Sequence, residues 1–304
     1  MKRTEPLAFY QPPTLAAATQ IVLDEGNGGY FLAGGTDLVI AMKEKGLVPK
    51  YVVDLKKIPG LAGIRETADG GLAIGALTTL RAIETSPTIR LRYRFLAQSA
   101  AEVGSIQIRN RATVGGNMAN ATPSADVAPT LMALDAKVKL AGADGSRILE
   151  LPDFFRGPGQ TVMEPGEILT EILIPASNSQ LLGEYIKFSP REMMDLAYVG
   201  VAVALTLSEG QRKCQSVRIA LGAVSPTPMR AKNAEALLLG QSLSEDLARQ
   251  AGEEAARECS PISDVRSSAE YRREMVRVNT TRALMNAATG KSDVPWTHRR
   301  DRRY

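Results

Sequence analysis

Ile106-Gln-Ile-Arg-Asn-Arg-Ala-Thr-Val-Gly-Gly-Asn-Met-Ala-Asn-Ala-Thr-Pro-Ser-Ala-Asp126 decides how the rest of the chain is read. It is crowded with small and polar residues and sits between two apolar helical patterns. Gly115 and Gly116 carry no Cβ, so the backbone there can bend sharply and a ligand can come close. Thr113, Asn117, Asn120, Thr122, Ser124 and Asp126 add short donors and acceptors. Short side chains lose little rotamer entropy when fixed around a polar ligand. A second stretch repeats the theme far upstream: Phe31-Leu-Ala-Gly34-Gly35-Thr36-Asp37-Leu38. Gly-Gly pairs most often mark ordinary turns. Two of them, each beside a Thr and a carboxylate or carboxamide, can close on one phosphate-bearing ligand.

Working outward, Thr14 caps an expected helix over Leu15–Glu25, with Gly26 as its stop. A strand Tyr30–Ala33, the Gly34–Asp37 loop, a helix Leu38–Lys45 and a strand Tyr51–Leu55 form a small βαβ unit. Backbone N–H groups between strand end and helix start can hold a phosphate. The loop does not fit G-x-G-x-x-G and lacks a P-loop Lys, which disfavours nicotinamide and nucleoside triphosphate binding by those routes.

Beyond Pro59-Gly60, Leu61–Arg65 and Leu72–Ala76 flank Asp69-Gly-Gly71 as a hairpin. Thr78 or Thr79 caps a short helix to Glu84. A longer helix is expected from about Thr88 to Val103, with Leu91, Phe95, Leu96, Ala100 and Val103 near one face. The central loop and a helix near Ala128–Leu134 follow. Lys137–Ala141 and Arg147–Leu151 make another hairpin, and Ile168–Ile174 an apolar strand stopped by Pro175. Asn178-Ser179 reads as a linker. Strands at Gly183–Phe188, Tyr198–Leu207 and Ser216–Val224 then precede helices at Ala231–Leu239, Ser244–Glu258 and Ala269–Ala288.

The expected class is α+β. Residues 1–177 form a two-part unit, a small βαβ piece (about 1–58) and a mostly antiparallel sheet with helices (59–177). A C-terminal three-stranded sheet with three helices (178–290) and a tail (291–304) follow.

Composition narrows the chemistry. In 304 residues the formal charge is only +4, with both signs interleaved, which argues against a dedicated nucleic-acid binder. Two cysteines, Cys214 and Cys259, cannot ligate a cluster that needs four. The single histidine, His298, lies in the tail, so zinc sites and His-based triads have no raw material. No apolar run is long enough for a membrane span, and the start lacks an apolar leader core; a cytoplasmic location is expected. If the protein does chemistry, a bound organic cofactor would have to carry the reaction.

Four passages carry a family resemblance: Ala33-Gly-Gly-Thr-Asp-Leu38; Thr113-Val-Gly-Gly-Asn117 through Asn120 to Ser124-Ala-Asp126; Gly166-Glu-Ile-Leu-Thr-Glu-Ile-Leu-Ile-Pro175; and Lys187-Phe-Ser-Pro-Arg191-Glu-Met-Met-Asp195-Leu-Ala. A Tyr271-Arg-Arg helix running through Thr281-Arg-Ala-Leu joins them. In order and spacing the chain resembles the FAD-binding medium subunit of molybdenum hydroxylases of the carbon monoxide and xanthine dehydrogenase type. The resemblance implies FAD as cofactor. It implies that Leu32, Ala33, Gly34, Gly35, Thr36 and Asp37, with Thr113, Gly115, Gly116, Asn117, Asn120 and Asp126, hold the FAD pyrophosphate and ribityl chain. Leu169 would pack on the adenine or ribityl region, Lys187 would approach the flavin, and Asp195 and Leu196 would lie near its ring. No catalytic side chain and no metal ligand is implied. The aromatic residues that stack on the flavin in some relatives are not evident; Val103 and Leu196 stand at those positions.

The resemblance further implies partners: a molybdopterin-containing large subunit, a [2Fe-2S] small subunit, and an electron acceptor such as a quinone or NAD. The assembly would be a hetero-oligomer, a dimer of heterotrimers. FAD would take electrons one at a time and pass them on singly or as a hydride. A stand-alone flavoprotein oxidase, or an assembly or regulatory protein that no longer uses FAD, are the competing readings. Trp296, the only tryptophan, is a candidate anchor by which the tail docks on a neighbouring subunit.

Overall fold

The computed structural model describes residues 7–177, 181–191, 194–208 and 213–290. The Asn178-Ser179 linker and the tail with Trp296 and His298 lie outside the described residues.

Chain entry builds a small parallel sheet. Strand β1 (Ala8–Tyr10), helix α1 (Leu15–Glu25), β2 (Gly29–Leu32), α2 (Leu38–Glu44) and β3 (Tyr51–Asp54) give the order β1-β3-β2. Both neighbours of β3 run parallel to it. Thr14 caps α1 through Ala17 N–H, a contact that typically contributes ~1 kcal/mol. β1 was not expected from the sequence, because three residues before Gln11-Pro-Pro show no period; Tyr51, Val52 and Val53 supply its ladder.

The second sheet is antiparallel. Its strands are β4 (Ile64–Glu66), β5 (Leu72–Gly75), β6 (Lys137–Gly142), β7 (Gly145–Glu150) and β10 (Ile168–Ile174), in the order β4-β5-β10-β6-β7. Between β5 and β6 run α3 (Leu80–Thr85), α4 (Pro87–Arg92), α5 (Arg94–Ala101), α6 (Ile106–Arg109), α7 (Val114–Ala119) and α8 (Val127–Ala133). After β7 come a turn of helix, α9 (Leu151–Phe154), and a two-stranded ribbon, β8 (Phe155–Gly157) with β9 (Gln160–Thr161).

Three expectations fail here. The long helix over Thr88–Val103 is two helices, broken at Tyr93 (φ −139, ψ 52). Tyr93 turns into the core and its hydroxyl donates to the Pro175 carbonyl, 3.3 Å away. The break shifts the helical phase, so Leu91 is 86% exposed and Ile89 is buried in its place. The strand expected at Leu61–Arg65 starts only at Ile64, because Leu61 packs into the small subdomain core instead. The central segment is not an open loop. Ser105 accepts from Ile108 N–H and Thr113 from Gly116 N–H, and these caps start α6 and α7.

The third sheet is β11 (Leu182–Phe188), β12 (Val199–Leu207), β13 (Cys214–Gly222) and β14 (Met229–Arg230), in that order and antiparallel. The two-residue β14 adds a fourth strand to the three expected. Helices α10 (Lys232–Leu238), α11 (Glu245–Glu258) and α12 (Ala269–Thr289) cover one face.

β12 explains how the halves join. Its Val201, Val203 and Leu205 enter the helical core, while Ala202 and Ala204 enter the core of the antiparallel sheet and α3–α8. Small residues on that second face let α8 come close. A Cβ on Gly222 would sit 2.6 Å from Pro129 Cγ. One sheet therefore seals two cores, and β11 lies across the junction. Among the described residues no helix is long and apolar enough to cross a membrane.

Candidate functional site

The Gly34–Asp37 loop joins β2 to α2. Gly35 sits at φ +78, a conformation that favours glycine. A Cβ on Gly34 would lie 2.8 Å from the Arg111 carbonyl carbon and 3.0 Å from Ala112 Cα. The loop is thus pressed against the turn that leads into α7. Gly116 closes the same contact: its missing Cβ would be 3.8 Å from Ala33 Cβ. The two glycine-rich segments, remote in sequence, share one surface.

They offer different chemistry to that surface. Among the described residues, none accepts from the N–H groups of Gly34, Gly35, Thr36 and Asp37. Successive unpaired N–H groups of this kind make an anion-binding concavity. The start of α7 is the opposite case. Val114 N–H donates to Thr78 O (3.0 Å), Gly115 N–H to Ala76 O (2.8 Å), Gly116 N–H to Thr113 Oγ1 (3.1 Å) and Asn117 N–H to Thr113 O (3.0 Å). Gly115 is glycine for packing, since a Cβ would be 2.5 Å from Ala76 Cβ. What this segment leaves for a ligand is a bare wall at Gly116 and Asn117 Oδ1, which is buried with no partner. A buried unpaired amide oxygen costs about 1–3 kcal/mol unless a donor reaches it, and a ligand hydroxyl fits that need. The free N–H row can hold an anion and the orphaned amide oxygen can accept from a ligand hydroxyl.

Asp126 stands apart from the glycine loops in its bonding. It precedes α8 but makes no cap bond. Its Oδ1 accepts from the Tyr185 hydroxyl (2.8 Å) and its Oδ2 from Lys187 Nζ (2.9 Å). Lys187 Nζ also donates to Glu102 O, 3.1 Å away. Burial pushes the Asp126 carboxyl up to about 6, against the pull of the Lys187 charge. Burial and Asp126 together push the Tyr185 hydroxyl well above its ordinary value. This cluster ties the first half of the chain to β11.

The remaining candidates divide. Asn120 Nδ2 donates to Thr122 Oγ1 (2.9 Å), closing on its own turn. Leu169 is buried in β10 opposite Leu140 and belongs to the main core. Asp195 and Leu196 lie on the loop that follows Lys187. Asp195 pairs with Arg191 (3.3 Å), which holds its carboxyl below the usual range, and Leu196 is half-exposed. Val103 packs on the main core.

Sequence reasoning missed three contributors. Tyr185 was legible in principle: in a strand it shares a face with Lys187 two residues on. Arg109 gave no signal. It is fully buried, its Nε 2.7 Å from Glu84 Oε2 and its Nη1 3.1 Å from Val103 O, and it fixes the path into α7. Lys56, whose Nζ reaches the Ala33 carbonyl, gave no signal in the sequence. A cavity of ≈ 220 Å³ between Leu134, Asp135, Pro175 and Arg218 shares no lining residue with these candidates.

The fold is a small parallel sheet and an antiparallel sheet with helices, followed by a second antiparallel sheet covered by three helices. The comparisons specify it further. Residues 4–177 match the family described as the FAD binding domain in molybdopterin dehydrogenase, and residues 184–287 the CO dehydrogenase flavoprotein C-terminal domain. The chain is 34% identical over 279 residues to the carbon monoxide dehydrogenase medium chain of Afipia carboxidovorans, covering 92% of this chain and 96% of that one. It is 31% identical over 282 residues to the xanthine dehydrogenase FAD-binding subunit of Escherichia coli O157:H7, covering 92% and 95%. Reconstituted CO dehydrogenase from Oligotropha carboxidovorans superposes with a TM-score of 0.90 at 33% identity, over 95% of this chain and 99% of that one. The chain belongs to the family of FAD-binding medium subunits of molybdenum hydroxylases. It is an FAD-binding oxidoreductase subunit, of the α+β class expected from the sequence.

Proposed function

We propose that this chain carries FAD as the electron-transfer subunit of a molybdenum hydroxylase complex. It takes electrons from the iron–sulfur clusters of a small partner subunit and passes them to an external acceptor. A molybdopterin-containing large subunit would complete the assembly, as a dimer of heterotrimers. When bound, FAD supplies the redox chemistry, and the chain supplies position, charge and exclusion of water.

Gly34, Gly35, Thr36 and Asp37 offer N–H donors to the diphosphate, with Leu32 and Ala33 leading into them. Gly116 gives the close wall, Asn117 accepts from a hydroxyl, and Thr113 and Gly115 hold that wall in place. Asp126 and the Glu102 carbonyl orient Lys187, and Lys187 presents its ammonium on the flavin side. For Asn120, Leu169, Asp195 and Leu196, the family resemblance alone supports a place in the lining. The observation that carries this reading is the convergence of the two glycine segments, with free donors on one and the orphaned Asn117 Oδ1 on the other.

The test is the purified chain's flavin and metal content. One FAD per chain, with no iron or molybdenum, is expected. A colourless chain that fails to take up added FAD would overturn the reading. Substrate turnover by the isolated chain would favour a stand-alone oxidase.

A further inference from the structure

We propose that Lys56 is a positioning residue of the Gly34 loop. Its ammonium, anchored on buried Asp54, holds the Ala33–Gly34 peptide and places positive charge behind the donors that face a diphosphate. The inference rests on the FAD reading above and names a residue that reading does not use.

Asp54 ends β3 directly opposite Leu32, the last residue of β2. Its side chain is 4% exposed, so its oxygens need donors. Gln11 Nε2 reaches Oδ2 at 3.0 Å, and the Lys56 backbone N–H reaches Oδ1 at 3.0 Å. Those two bonds already give each oxygen a partner. Lys56 Nζ adds a third contact, 2.6 Å from Oδ1, and then reaches past it to Ala33 O at 3.2 Å. Burial alone would raise the Asp54 carboxyl, but the bonds from Lys56 and Gln11 bring it below its ordinary value. The carboxylate therefore stays charged and aims the ammonium at the loop.

The Ala33 carbonyl and the Gly34 N–H belong to one peptide. A cation donating to that carbonyl polarises the peptide and strengthens the N–H as a donor on its other side. It also fixes the corner at which β2 ends, where Gly34 has no side chain to fix it. An ammonium has three donors, and Asp54 and Ala33 take two among the described residues. Lys56 is 38% exposed, so its charge is felt through partial solvent screening rather than at full strength.

The experiment uses the full chain stripped of flavin. FAD binding is titrated by flavin fluorescence for wild type, Lys56→Gln and Lys56→Arg, at about 50 mM and about 300 mM sodium chloride. Apo-protein melting is recorded alongside. Loss of one charge-assisted hydrogen bond should weaken FAD binding about ten-fold in Lys56→Gln. Its salt dependence should flatten, while apo melting should fall only modestly, since Asp54 loses the ammonium but keeps Gln11 and the Lys56 backbone N–H. Lys56→Arg keeps the charge and should restore most of the affinity. Equal binding by Lys56→Gln and wild type, or Lys56→Arg as weak as Lys56→Gln, overturns the assignment. Wild type that takes no FAD overturns the FAD reading and this inference together.

Discussion

Replacing Lys187 by Met tests whether a buried charge pair locks the two halves of the chain. The two side chains are similar in length, so packing is largely kept while the cation is lost. Lys187 and Asp126 are 6% and 7% exposed, and Nζ lies 2.9 Å from Oδ2. In the variant the Asp126 carboxylate keeps the Tyr185 hydroxyl and loses its counter-charge. Breaking a buried pair in this way costs about 3–5 kcal/mol. The cost depends on pH. Burial holds the Asp126 carboxyl at about 6 even with Lys187 pulling it down, so without Lys187 it rises further.

In the unfolded chain the same carboxyl titrates near its ordinary value of about 3.9. Between those two values the folded state holds a proton that the unfolded state does not. Stability is then greatest below about pH 4 and falls as pH rises through the folded value. Wild type shows the same sign over a narrower window, ending at about 6. The deficit of the variant should therefore be full at about pH 8.5 and shrink by up to about 1.4 kcal/mol per unit down to about pH 6. Below that, both proteins gain alike. Urea unfolding of the full chain, followed by far-ultraviolet circular dichroism, measures it. Adding Asp126→Asn should recover most of the loss. A deficit under about 1 kcal/mol at the alkaline end, or one that widens on acidification, refutes the argument.

Gly34→Ala drives a methyl into the Arg111–Ala112 backbone and should part the two glycine segments. Flavin absorbance per chain should fall, for an apo-stability cost of about 1–3 kcal/mol. Gly115→Ala meets Ala76 rather than a ligand, so its main readout is a lowered melting temperature, again from about 1–3 kcal/mol of overpacking. Flavin content measured at low temperature should survive in Gly115→Ala better than in Gly34→Ala. Arg109→Leu removes the buried partner of Glu84 and should cost about 3 kcal/mol, the low end for a broken buried pair, because Arg81 stays 3.0 Å from Glu84 Oε1. Limited proteolysis near residues 104–113, quickened relative to wild type, would report it.

The sequence by itself determined the class of the fold and most of its elements, and it singled out the two glycine segments that the fold brings together. Those are local signals. Thr14, Thr79, Ser244 and Ser268 cap the helices they precede, and β12 reads as an apolar run because it is covered on both faces. Local signals misled only where tertiary contacts outweighed them. The expected helix breaks at Tyr93, whose side chain is fully buried with its hydroxyl on the Pro175 carbonyl. Thr113 turns a Gly-Gly pair into the start of α7, with its N–H groups spent on Ala76 and Thr78.

Only the tertiary structure decided what each glycine is for. Gly34 and Gly115 look alike in sequence, yet one abuts Arg111 and the other Ala76, because a missing Cβ takes its meaning from what lies opposite. The same holds for charge. Asp126 and Lys187 are 61 residues apart, and Lys56 and Ala33 are 23 apart. No periodicity links such pairs, since partners brought together by chain crossing leave no regular spacing behind. Their burial, and so their energetic weight, exists only once the sheets have packed.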